Sequence, residues 1–386
     1  MSDKPFPDMS EINNRLVIEE DLIKAILGII AQNENPRILI SLSRSLAKST
    51  TVEDDLREQL GHQLVGVETV LTEHSPYENI FELAQKINEQ RATHILSIGG
   101  GSVIDGTKIA LVVANLDIKT HAELSELTYA TDKGLQIEDW PIQHIAIPTT
   151  LSGAEFTPLA GATSSISGRK EGFLNPHLVP DRVILCSRLS VYTPERLWLS
   201  SGIRSVDHAI ETLCAPGVDE EISSFCAKGL ELLFSGLNGT RSDPESLAHR
   251  ANSQLGVYYA TSGLSRYRMG ASHGLGYLLG TIGNVPHGLT SCVLLPAVLS
   301  YNLSDTKAPQ TQIAKIIGAA RAEEVGTAMR QFIGGLGLPN ELSSLELSEA
   351  ALEEIQEAAL THPVVQANPK AIMSKENVAE ILSLAG

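Results

Sequence analysis

Short apolar runs alternate with longer amphipathic stretches through the first half of the chain, and the two periods are easy to separate. Residues 37–41, 64–71, 95–98, 145–147 and 183–185 are compact β-branched or leucine-rich runs and read as strands. Between them, 20–31, 51–60, 77–90 and 102–113 repeat apolar residues every three to four positions and read as helices. Strands that alternate with helices predict a parallel sheet covered on both faces, with ligands beyond the carboxyl ends of the strands. From about residue 193 the pattern becomes almost wholly helical, over 194–214, 221–237, 244–262, 308–336 and 348–360. The expected architecture is therefore an α/β nucleotide-binding domain over 1–190 and an all-α substrate domain over 191–386, packed around a shared cleft.

One strand end carries an unusual turn. His94-Ile95-Leu96-Ser97-Ile98 runs into Gly99, Gly100 and Gly101, followed by Ser102-Val103-Ile104-Asp105. Glycine permits close backbone approach and positive φ. Ser102 at a helix start leaves the first N–H groups facing an anion such as a pyrophosphate. Asp105, three residues later, predicts a capping box with Ser102. The spacing matches neither the usual dinucleotide fingerprint nor a nucleoside-triphosphate loop, so a nucleotide site and a plain tight turn both stand on this run alone. A second strand end, Ile147-Pro148-Thr149-Thr150-Leu151-Ser152-Gly153, offers hydroxyls that suit a ribose, an amide or a phosphate, and also suits a structural turn.

The candidate chemistry in the helical half is imidazole. Arg204 and His208 share a helix face at four-residue spacing, as do His273 and Tyr277, and His287 follows in a Pro-His-Gly turn. A lone histidine is usually a satisfied core residue, but three in glycine-rich surroundings beside an arginine point to a site.

Composition narrows the partners. The 386 residues suffice for two cores, and a formal net charge of −17 disfavours nucleic acid and anionic membrane surfaces. Cys186, Cys214, Cys226 and Cys292 form no CxxC pair, and no apolar run approaches the roughly 18 residues that span a bilayer. The first residues lack an apolar signal core, so the expected location is cytoplasmic.

The glycine run, the Pro-Thr-Thr turn, the His208 helix and the His273…His287 pair resemble, in order and spacing, the iron-containing alcohol dehydrogenase family across nearly the whole chain. The stretches 270–276 and 290–299 look most like its maleylacetate reductase branch and fungal relatives. The resemblance implies a nicotinamide-dependent reductase or dehydrogenase with its cofactor in the interdomain cleft and a homodimer as the common assembly. Gly99 to Ser102 would hold the pyrophosphate and Asp105 would support that loop. Thr149, Thr150 and Leu151 would line the cofactor, and Lys170 falls near a lysine beside the nicotinamide ribose.

Two departures matter. Metal-binding members carry an aspartate where this chain has Arg204, four residues before His208, and their other ligands match His273 and His287. Asp207 is expected to point away from that face, since three residues turn a helix by about 300°. A guanidinium in place of a carboxylate disfavours iron or zinc, so no catalytic metal is expected, although three imidazoles still suit zinc. Tyr277 stands where many members have a further histidine. Arg204 would then bind a substrate carboxylate or polarise a carbonyl or enone oxygen, with His208, His273, His287 and Tyr277 orienting or protonating the substrate. Ser43 replaces an acidic residue that repels a 2′-phosphate, and Arg44 follows it, which leans toward NADPH over NADH. The leading reading is a metal-independent NAD(P)H reductase of a small carbonyl or α,β-unsaturated acid. The alternatives are a metal-dependent alcohol dehydrogenase, a dehydroquinate synthase-like cyclase and an inactive nucleotide-binding homologue.

Overall fold

The computed structural model describes residues 15–31, 33–138 and 140–386, with every side chain in those ranges except that of His287. Residues up to Thr193 form one compact unit and those from Pro194 onward a second.

The first unit is a six-stranded parallel sheet. Its strands are β1 (Leu16–Ile18), β2 (Ile38–Leu42), β3 (Leu64–Glu68), β4 (His94–Gly99), β5 (Gln143–Pro148) and β8 (Arg182–Leu185), in the order β1-β8-β5-β4-β2-β3. The alternation of the strands explains the layering. Ile38, Ile40 and Leu42 of β2 face helices α1 (Leu22–Ile30) and α3 (Val52–Leu60), whereas Leu39 faces α4 (Tyr77–Glu89) and α5 (Gly101–Asn115). A strand buried on both faces favours apolar residues on both, and β2 is apolar at every position but the buried Ser41. Helix α2 (Arg44–Ser49) follows β2 directly, and Ser43 caps it by accepting from Leu46 N–H at 3.4 Å.

After β3 the chain crosses back over β2 to form β4, so the topological switch lies between β2 and β4. The turns after β2, β4 and β5 are neighbours there, with Leu42 in register with Ile98 and Gly99 with Pro148. This is the place where an open α/β sheet receives a ligand. Sequence periodicity missed edge strand β1 and an antiparallel hairpin, β6 (Leu159–Thr163) with β7 (Lys170–Leu174). Both are short, and the hairpin strands are broken by Gly161 and Gly172, which leaves little pattern to read.

The second unit packs its described residues as helices, chiefly α8 (Glu195–Leu213), α9 (Glu220–Ser242), α10 (Leu247–Ala260), α11 (Ala271–Thr281), α12 (His287–Ile317) and α13 (Val325–Gly335). Two more, α14 (Glu349–Ala359) and α15 (Lys375–Ala385), pack against α11 and α12 through Leu275, Leu279, Leu294, Ile355 and Ile381. Two short helices in the first unit are α6 (His121–Ser125) and α7 (Ser187–Ser190). The single helix expected over 308–336 is in fact the end of α12 plus α13. Gly318 at φ 77° terminates α12, a left-handed cap that glycine adopts without strain. Pro296 and Pro309 lie inside α12, and Thr306 leaves helical geometry between them, which hid this long element from its sequence. Among the described residues no helix is long and apolar enough to cross a membrane. All four cysteines are free thiols.

Candidate functional site

In the first unit the candidate residues converge on the switch point. Helix α5 begins at Gly101 with Gly100 as its N-cap, and the Val103 N–H already bonds back to Gly100 O at 2.9 Å. The amides of Gly101 and Ser102 therefore point out of the helix start, where an anion would be favoured. Two expectations change here. Ser102 lies inside the first turn and is not the cap; its hydroxyl accepts from His74 N–H at 3.2 Å, so no capping box with Asp105 forms. None of Gly99, Gly100 and Gly101 takes a positive φ either. What requires glycine is closeness: a Cβ on Gly100 would sit 3.0 Å from Thr150 Cγ2, and one on Gly101 2.8 Å from Ser152 Oγ.

Thr149 N–H donates to Gly99 O at 2.9 Å, which ties the Thr149-Thr150-Leu151 turn to the glycine turn. Ser43 N–H donates to Ile98 O at 2.9 Å, which brings the β2 end to the same edge. Arg44 turns away from a free posture and donates to Thr69 O at 2.7 Å and Val70 O at 3.1 Å. Asp105 does not support the glycine loop. It accepts from Gly161 N–H on β6 at 3.1 Å and lies 3.8 Å from the Lys108 ammonium. Lys170 starts β7 and lies across Gly161, where its charge acts on Asp105.

The buried Lys108, which periodicity assigned only to the helix, anchors this region. Its ammonium donates to Ala154 O, Thr157 O and Leu159 O at 2.6, 2.8 and 3.0 Å. Burial pulls it down to about 8, while burial lifts the neighbouring Glu155 carboxyl to about 7.

In the second unit, α8 contributes Arg204, Asp207, His208 and Glu211, and α11 contributes Ser272 and His273. The His208 and His273 rings stack with centroids 4.8 Å apart and planes 26° from parallel. Arg204 Nη1 donates to Ser291 Oγ of α12 at 3.0 Å and lies 3.8 Å from Asp207 Oδ2. Asp207 Oδ2 also accepts from Ser272 Oγ at 2.7 Å and Ser291 Oγ at 2.6 Å. Asp207 thus belongs to the site, contrary to the helix-angle expectation. A 300° advance is only 60° in the other direction, and the carboxylate spans that offset.

Glu211 holds the start of α11. Its two oxygens accept the N–H groups of Gly270 and Ser272 at 2.8 Å each, and Oε2 lies 2.7 Å from His273 Nδ1. Burial pushes the Glu211 carboxyl up, and the three amides of Gly270, Ser272 and His273 push it back toward its charged form. Burial also raises Asp207. Both imidazoles stay neutral. Burial, the partner ring and the Arg204 charge hold His208 well below its ordinary value, and burial with Arg204 brings His273 to about 3. Among the described residues, His208 Nδ1 and His273 Nε2 are buried without a hydrogen-bond partner. Tyr277 packs on the ring of His362, with centroids 5.4 Å apart, and the side chain of His287, the first residue of α12, lies outside the described residues.

Sequence reasoning set Asp207 aside and gave no role to Glu211, Ser272 and Ser291. The signal was present in the three- and four-residue spacings Arg204-Asp207-Glu211 and in Ser272 beside His273.

The positive charge of Arg204 disfavours a divalent metal among these residues. A guanidinium that keeps its proton occupies the position next to both imidazoles. Asp207, Glu211 and His273 do offer ligand atoms within 4.8 Å of one another. Those atoms are already engaged, however, with two serine hydroxyls, two amides and each other.

Comparison with known proteins accounts for both units. Residues 13–187 match the model described as iron-containing alcohol dehydrogenase, and residues 199–386 match that for the C-terminal part of the Fe-containing alcohol dehydrogenase family. Dehydrogenase FUM7 of Gibberella moniliformis is 33% identical over 387 residues, covering 90% of each chain. Dehydrogenase ALT3 of Alternaria alternata is 31% identical over 379 residues, covering 90% of this chain and 98% of that one. The maleylacetate reductase of Burkholderia cepacia is 26% identical over 363 residues, covering 92% and 94%. In fold, the chain is similar to sulfoacetaldehyde reductase from Bifidobacterium kashiwanohense, solved in complex with NAD+, with a TM-score of 0.86 at 19% identity over 99% of this chain and 98% of that one. Matched in both units, with the charged network of Arg204, Asp207 and Glu211 inside the second match, this chain belongs to the iron-containing alcohol dehydrogenase family and is an oxidoreductase.

Proposed function

We propose that this enzyme is an NAD(P)H-dependent reductase of a small carbonyl or α,β-unsaturated carboxylic substrate, similar to the maleylacetate reductases, and that it works without a catalytic metal. The observation that carries the reading is Arg204, a largely buried cation held by Ser291 and Asp207 and acting on both stacked imidazoles. The sequence similarity to maleylacetate reductase supports the substrate class.

The amides of Gly101 and Ser102 would receive the pyrophosphate, and Thr149, Thr150, Leu151 and Ser43 would line the remaining nucleotide. The Cβ-free face of Gly100 and Gly101 fits that group. When bound, the nicotinamide supplies the hydride. Arg204 binds the substrate carboxylate, or polarises the carbonyl or enone oxygen on which negative charge develops. Asp207 and Ser291 keep the guanidinium in place. His208 and His273, both neutral, orient the substrate by hydrogen bonds and pass the proton that accompanies hydride transfer. Ser43, a hydroxyl with no negative charge to repel a 2′-phosphate, leans the cofactor choice toward NADPH. The buried free thiols fit a cytoplasmic, reducing compartment, and a homodimer is the assembly expected with this reading.

The test is consumption of NADH and NADPH, followed by absorbance, across carboxylated enones, keto acids and aldehydes. Turnover of a carboxylated member above its uncharged counterpart supports the reading. Turnover of uncharged alcohols and aldehydes alone would contradict it.

A further inference from the structure

Three features outside the cofactor turn draw notice: the buried Lys108 cluster, the groove near Cys186 and Tyr192, and the contact between Glu211 and His273. The third leads furthest. Glu211 Oε2 lies 2.7 Å from His273 Nδ1, while His273 Nε2 is buried with no hydrogen-bond partner among the described residues. The same carboxylate accepts three backbone amides, of Gly270, Ser272 and His273, so it is locked at the start of α11 and cannot rotate away. An acceptor fixed on Nδ1 leaves one neutral form of the ring: Nδ1 carries the hydrogen and Nε2 carries a lone pair.

We propose that Glu211 is a positioning residue that fixes His273 as its Nδ1–H tautomer and so presents a bare Nε2 to the substrate as hydrogen-bond and proton acceptor. The inference rests on the reductase reading above and assigns a role within that site. It divides labour among the candidates. Arg204 contributes positive charge, and His273 contributes a lone pair that only an O–H or N–H donor satisfies. A hydroxyl-bearing product is the group that fits it. In the oxidation direction the C–H bond breaks with its electron pair passing to NAD(P)+, the O–H bond breaks with its proton passing to Nε2, and the C=O bond forms. In reduction Nε2 first takes up a proton from water, and each step then runs in reverse. The imidazolium formed on the way is paired through Nδ1–H with Glu211, and Asp207 Oδ2, 3.4 Å from the same nitrogen, adds to that stabilisation.

The experiment is long-range nitrogen–proton correlation NMR on full-length enzyme with labelled histidine and bound NADPH, with His273 assigned by its loss in His273→Gln. Wild-type enzyme should show protonated Nδ1 and bare Nε2. A protonated Nε2 would overturn the proposal whether or not any variant folds. Glu211→Gln cannot serve all four donors with one oxygen. Its amide, turned toward Nδ1, should shift the tautomer ratio toward Nε2–H by at least about tenfold and lower kcat by a similar factor. NADPH affinity should stay at the wild-type value. An unchanged ratio, or a shifted ratio with unchanged kcat, would refute the role. If wild-type enzyme shows the expected tautomer yet turns over no carbonyl substrate, the reductase reading fails while the Glu211 lock stands.

Discussion

Arg204→Ala tests the charge at the centre of the site. In the native enzyme Nη1 donates to Ser291 at 3.0 Å, lies 3.8 Å from Asp207 Oδ2, and leaves only 21% of the side chain exposed. A hydrogen bond to a charged group in such a place contributes about 1.5–3 kcal/mol. If Arg204 engages the substrate oxygen, its loss should lower kcat/KM by roughly ten- to a hundredfold. A second consequence follows from sign. The guanidinium suppresses protonation of His208 and His273, so its removal should raise both imidazoles toward their ordinary value and bring an acid-side loss of activity to higher pH. Truncation also leaves Asp207 without its ion-pair partner, and some loss of thermal stability should accompany it. Steady-state kinetics from pH 5 to 9, with NADPH binding followed by fluorescence, separates these effects. Wild-type kcat/KM with an unmoved pH profile would refute the assignment of Arg204.

Two further outcomes follow from the first unit. Gly100→Val keeps an accessible backbone, since φ is −80°, but places a branched side chain 3.0 Å from the Thr150 methyl and over the exposed amides of α5. NADPH affinity should fall by at least about tenfold, with a fall in melting temperature from the crowded Thr150 contact, and full-strength binding would put the nucleotide elsewhere. His144 is buried, bonded to Ser97 Oγ at 2.8 Å, and held by burial and Lys108 at about 3. The unfolded chain takes up this proton below about 6.5 and the folded chain does not, so His144 costs stability as pH falls from 6.5 toward 3. Denaturant unfolding of His144→Asn should show a loss between pH 7 and pH 5 that is smaller than wild type by about 2 kcal/mol; identical losses would contradict it.

The sheet and the glycine turn were legible because their causes are local. β2, β4 and β5 each carry a compact apolar run, at 38–40, 95–96 and 145–147, and a strand end followed by three glycines has few other uses. The reason for those glycines was only half legible, because the side chains that crowd them, Thr150 and Ser152, come from a turn about 50 positions later. Arg204, His208 and His273 were visible as residue types and family positions. Their supports were not: Asp207 and Glu211 acquire meaning only when α11 and α12 bring Ser272, the Gly270 amide and Ser291 against α8. The sequence reading of Ser102 and Asp105 failed for a related reason. Gly100 already caps the helix, and Asp105 finds its partner on β6.

The most direct test of the central claim is elemental analysis of enzyme purified without chelator, paired with its rate of NADPH oxidation before and after exhaustive chelation. The account predicts no stoichiometric transition metal and an unchanged rate. About one zinc or iron per chain, with activity lost on chelation and restored by the metal, would contradict it.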